Sequence, residues 1–150
     1  MKNLYPLILA ALLGISMQSQ AADIVIHGID FGIYRIEGEG PGREAKLVQK
    51  TDRIPLKRGT TFGVMVEVLG PQDGRPRMLR RITRFPAPGL RNPQTGTTRP
   101  YSETEVTVRV GDTLHGLFSF DHAWEMVPGT WSMEYWLGGE KLIGKEFTVR

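Results

Sequence analysis

VPGTWSMEYWLGGEKLIGKEFTV, residues Val127 to Val149, decides the fold. Pro128-Gly129 turns the chain into a strand. From there Trp131, Met133, Tyr135 and Leu137 alternate with Ser132, Glu134 and Trp136, the period of two of a β-strand. Gly138-Gly139 supplies the pair that a tight hairpin turn tolerates. On the return, Ile143, Lys145, Phe147 and Val149 share one face, and Leu142, Gly144, Glu146 and Thr148 the other. An isolated hairpin is marginal in water, so this one must pack against other strands. Each large apolar side chain that it buries contributes about 1.5–3 kcal/mol.

Before this hairpin, strand signals recur at short intervals. Ile24–Ile36 bends at His27-Gly28, and Leu47–Thr51 is short. Thr61–Leu69 (TFGVMVEVL) reads as a central strand, with Phe62, Val64, Val66 and Val68 on one face. Met78–Phe85 is interrupted by arginines and reads as an edge or half-exposed strand. Glu103–Val110 alternates strictly and Leu114–Phe120 is rich in apolar residues. Turn clusters separate these runs, and no segment has a helical period. The chain is therefore expected to be all-β: an antiparallel β-sandwich of seven or eight strands, with a small barrel as the alternative.

Residues 1–21 carry Lys2, an apolar run from Leu4 to Ile15 too short to span a bilayer comfortably, and Ser19-Gln20-Ala21. This reads as a cleavable secretory signal peptide with cleavage after Ala21, leaving one domain at 22–150. A periplasmic or secreted location follows as an expectation. The chain has no cysteine. Disulfides, thiolate metal sites, a cysteine nucleophile and a cysteine-linked lipid anchor are excluded with it. No later stretch is apolar and long enough for a transmembrane segment.

Net charge over the whole chain is only +3. Its distribution is uneven: residues 75–100 hold seven arginines and no acid, between segments in which acids outnumber bases. These are Arg75, Arg77, Arg80, Arg81, Arg84, Arg91 and Arg99. Along a strand, Arg80 and Arg84 share a face with Met78 and Ile82, and Arg81 lies opposite with Leu79 and Phe85. Arginine suits carboxylate and phosphate because its planar fork binds two oxygens at once. Arg77, Arg80, Arg81, Arg84 and Arg91 are the candidate binding residues for an anionic envelope component or a protein. The Pro-rich loop Pro86–Pro100 beside them is a second candidate. A solvated edge strand is the plainer explanation of the same residues. Nucleic acid is not expected, for want of aromatic residues interleaved with the bases.

Catalytic signals are weak. Asp121, His122, Trp124 and Glu125 form the one local cluster with acid–base potential, so a small hydrolase using Asp121, His122 and Glu125 is one alternative function. A polar turn anchored by Trp124 is the plainer explanation of them. Gly139–Glu146 resembles a phosphate-binding loop, but Glu146 stands where a Ser or Thr must hold magnesium. No cofactor, metal or catalytic residue is expected. Another alternative is a structural subunit that adds its Met78–Phe85 edge to a partner's sheet. Trp136 stands out because it points opposite to Trp131.

Four stretches together resemble one bacterial exported family, the immunoglobulin-like domain of unknown function DUF3859. They are FGIY at Phe31–Tyr34, RIPLKRGTTFGV at Arg53–Val64, RFPAPGL at Arg84–Leu90, and SFDHAWEMVPGTW at Ser119–Trp131 running into GGEKLIGKEFTV. The resemblance implies an immunoglobulin-like fold and an exported protein, and brings no activity or catalytic residues with it.

Overall fold

The computed structural model describes residues 23–150, so the expected signal peptide lies outside the described residues. Two sheets face each other, antiparallel throughout except where the short strand Arg53–Ile54 runs parallel to the last strand. The first has the order β2-β1-β4-β9, the second β3-β11-β10-β5-β8, and β6-β7 form a small separate hairpin. The strands are β1 Val25–Glu37, β2 Glu44–Gln49, β3 Arg53–Ile54, β4 Thr61–Leu69, β5 Arg77–Arg84, β6 Leu90–Arg91, β7 Thr98–Arg99, β8 Tyr101–Val108, β9 Thr113–Ser119, β10 Gly129–Leu137 and β11 Glu140–Val149. Eight of these eleven have six residues or more, matching the sandwich expected from the sequence. No helix among the described residues is long and apolar enough to cross a membrane.

The C-terminal hairpin is β10 and β11, joined through Gly138 at positive φ. Trp131 pairs with Phe147, Met133 with Lys145 and Tyr135 with Ile143, all on the face turned toward the first sheet. Opposite them, Phe62, Val64, Val66 and Val68 of β4 are buried on one face, as their alternation requires. Trp131 is fully enclosed. Its ring meets Phe85 at 4.9 Å, Phe118 at 5.0 Å, Phe120 at 5.6 Å and Phe62 at 5.7 Å between centroids, mostly edge-on, the arrangement that aromatic quadrupoles favour. The indole Nε1–H donates to the Val127 carbonyl oxygen at 2.9 Å, so the burial leaves no orphan donor.

Three local readings change. The bend at His27-Gly28 is a bulge within one long strand, where the β1–β4 register shifts between Gly28 and Asp30. The Pro-rich stretch is shaped by the β6–β7 hairpin, which tucks Leu90 into the core. Most consequentially, β5 is not an edge strand. It pairs with β8 over its whole length and with β10 from Leu79 to Arg84. Its arginines break the apolar alternation without making it solvated, because long side chains on both faces reach partners beyond the strand. Subunit assembly through an unpaired Met78–Phe85 edge is therefore ruled out; the free edge on that side belongs to β8.

Trp131→Ala should cost about 3–5 kcal/mol of stability, the range for emptying a packed aromatic site. Urea unfolding followed by far-UV circular dichroism measures it.

Candidate functional site

Alternation along β5 and β10 divides their side chains between the core and the outer face of the second sheet. Leu79, Thr83, Met133 and Tyr135 turn inward and are buried. Arg80, Ile82 and Arg84 turn outward, beside Trp136, Glu134 and Ser132 of β10 in that order. On the other flank β8 sets Glu105, Glu103 and Tyr101 against the same three residues. The face assignment made from sequence for Arg80, Arg84 and Arg81 agrees with this register.

Glu134 organises the outer face. It is buried, and its two oxygens accept three hydrogen bonds: from Arg84 Nε at 3.0 Å, Trp136 Nε1 at 2.7 Å and Ser132 Oγ at 3.2 Å. Burial pushes its pKa up, but the donors, Arg84 first, more than reverse this and hold it below the usual carboxylate value. Arg84 and Trp136 are thus held by one carboxylate. The Arg84 guanidinium lies 5.8 Å from the Tyr101 ring, and that of Arg80 lies 5.9 Å from the Trp136 ring. Only Nε of Arg84 is engaged by a described acceptor, and the side chain is 47% exposed. Arg80 spends its terminal nitrogens on Gly138 O at 3.1 Å and Glu103 at 3.4 Å.

The remaining candidate arginines separate. Arg77 leaves the set of anion-binding residues. Its side chain is buried, and its guanidinium is clamped by the carboxylates of Asp23 and Asp73, which already supply the anion. Arg75 joins the same cluster through Asp73 at 2.8 Å. Arg81 also departs: it points between the sheets and donates to the His115 carbonyl oxygen at 3.2 Å. Arg91 sits exposed on β6, the hairpin that leaves the Arg84 end of β5, and Arg99 on β7 is exposed too. Neither meets a carboxylate among the described residues.

Asp121, His122 and Glu125 do not converge on a reacting atom. They lie on the turn before β10, where Ala123–Glu125 forms a single 3₁₀ turn. One Glu125 oxygen accepts from the backbone N–H groups of Asp121 and His122, both at 2.8 Å, so this carboxylate closes the turn. The His122 ring stacks on Trp124 at 5.7 Å and is exposed. His115 lies across the sandwich next to Tyr34, and burial lowers its pKa. Among the described residues no group of three His, Cys, Asp or Glu is placed to hold a metal.

Sequence reading named the arginines and singled out Trp136, but missed Glu134 and Tyr101. Alternation already placed Glu134 beside Trp136. What it did not reveal is the Arg84 partner on another strand. Replacing Glu134 by Gln should cost about 1–3 kcal/mol near neutral pH, the penalty for disturbing a satisfied buried acceptor. Because the folded pKa lies below 4.5, the carboxylate's contribution is complete above that value and is lost as pH falls through the lower folded pKa. The gap between wild type and Glu134→Gln should therefore narrow in acid, as urea midpoints from pH 7 to pH 3 would show.

The geometry has counterparts among known proteins. The sandwich is similar to the crystal structure of an immunoglobulin-like protein from Pseudomonas aeruginosa, with 26% identity, a TM-score of 0.66, and coverage of 86% of this chain and 98% of that one. A β-glucosidase from Listeria innocua contains a remoter likeness, at 9% identity and a TM-score of 0.42, and this chain spans only 16% of it. No curated protein matches the chain. The model of the domain of unknown function DUF3859 matches residues 24–149. The described sandwich is thus matched almost from end to end, and the chain belongs to the DUF3859 family of immunoglobulin-like domains.

Proposed function

We propose that the protein is an exported, non-catalytic interaction module that binds an anionic group of an envelope component or protein partner. The binding face is the outer surface of the second sheet, centred on Arg84, with Arg80, Trp136 and Tyr101 around it and Arg91 on the adjoining hairpin. One observation carries this reading. Buried Glu134 fixes Arg84 and Trp136 together, while no acceptor among the described residues engages the terminal nitrogens of Arg84. A side chain already held in place loses less entropy on binding. Aromatic residues and arginine are also the types over-represented at interaction hot spots. Export rests on the signal-like residues 1–21, and a periplasmic or secreted location goes with it. The non-catalytic reading rests on the use of Glu125 as a turn closure.

Charge-assisted contacts at an exposed face are screened by salt. A partner drawn from envelope extract should therefore be retained at low ionic strength and released by raised salt. Arg84→Ala should weaken retention about tenfold, equivalent to about 1.4 kcal/mol. Arg81→Met, on the inner face, should leave retention unchanged. Retention that ignores both salt and Arg84 would refute the assignment of this face.

A further inference from the structure

Lys145 stands on the wrong side of its strand for a charged residue. Its neighbours at alternate positions of β11, Ile143 and Phe147, pack toward the first sheet, and Lys145 is paired with buried Met133 on that same inward face. Its side chain runs out through a cleft of about 260 Å³ between β1 and β11, which belong to different sheets. The bulge between Gly28 and Asp30 helps to shape this cleft. Gly28 has no side chain to close it: a Cβ there would stand 3.3 Å from Cδ1 of Ile143.

Within the cleft, Val64, Val66, Met133 and Ile143 form an apolar floor that reaches the core, and the exposed Ile29 also lines it. The rim is charged. Lys145 Nζ sits 3.9 Å from the centroid of the Phe31 ring, and Lys50 Nζ 5.5 Å from the same ring. The one carboxylate in the lining, Asp30, is already paired with Lys50 at 2.9 Å. Lys145 has a looser partner in Asp52, at 3.9 Å. The lining therefore presents one weakly compensated ammonium, held over an aromatic ring at the mouth of an apolar hole.

We propose that this cleft binds a short-chain aliphatic carboxylate, with its chain on the apolar floor and its carboxylate at Lys145. Few convergent polar groups over an apolar lining are the usual composition of a small-molecule site. The volume lies just under the roughly 300–1,000 Å³ of drug-sized pockets, so the occupant has few atoms. A free aliphatic amine would meet Lys145 with like charge, and an uncharged chain would leave the ammonium without a better partner than Asp52. The site is independent of the Arg84 surface, which lies on the opposite face of the second sheet.

Sodium hexanoate is the direct probe, titrated into the protein while backbone amide NMR shifts are followed. Saturable shifts confined to the residues around Ile29, Lys50, Val66 and Ile143 are expected. Acetate, hexanol and hexylammonium should each bind more weakly. Lys145→Met keeps the apolar stem and removes the charge. It should weaken hexanoate about tenfold, as loss of one charge-assisted contact does, and leave hexanol unchanged. Ile143→Trp fills the hole and should abolish both, with its urea midpoint checking the fold; should it not fold, Lys145→Met carries the test alone. Hexanoate binding unchanged in Lys145→Met would overturn the proposal. So would affinity that climbs steadily with chain length through decanoate, because that describes adsorption on an open surface.

Discussion

Trp131, fully buried among four phenylalanine rings, locks the two sheets together. It joins the C-terminal hairpin to the first sheet through Phe62, Phe118 and Phe120, and to the end of β5 through Phe85. Side chains alternate along a strand with a period of two, so seating Trp131 inward also sets every other residue of β10. A slip of one position would drive Ser132, Glu134 and Trp136 into the core and expose the tryptophan. The aromatic cluster therefore does more than stabilise the sandwich. It presents Glu134 and Trp136 on the outer face, where the candidate binding surface is built.

The second organising constraint is charge. Along the chain the cationic block at residues 75–100 stands between two acidic ones. Folding brings them together. Asp23 and Asp73 from the first acidic segment enclose Arg77, while Glu134 and Glu103 from the last one meet Arg84 and Arg80. Four of the block's seven arginines, Arg75, Arg77, Arg80 and Arg84, thus meet carboxylates within the fold. Within that block no described carboxylate meets Arg91 or Arg99, and Arg84 is engaged only through Nε. The inward Lys145 is a separate case, placed over Phe31 at the seam between the sheets.

Period-two alternation made much of this legible. The hairpin, the buried face of β4, the opposed directions of Trp131 and Trp136, and the split of Arg80 and Arg84 from Arg81 all follow from it. The position of β5 did not, because arginines on both faces hide the pattern of a strand paired on both sides. Partners of the arginines were equally hidden: Arg84 and Glu134 lie 50 residues apart, and nothing local to either announces the other. The β6–β7 hairpin escaped notice because each of its strands has only two residues, too few to show a period. The cleft at Lys145 is formed by β1 and β11, from opposite ends of the described chain, so only the folded sandwich displays it.

Site-specific photocrosslinking in cells would show whether the outer face of the second sheet meets a partner. A photoreactive residue at Met78, exposed on the outer face of the second sheet, is compared with one at Glu67 on the outer face of the first. A crosslinked partner is expected from Met78 and none from Glu67, with the Met78 product lost in Arg84→Ala. A partner captured from Glu67 alone, or a Met78 product indifferent to Arg84, would contradict that expectation.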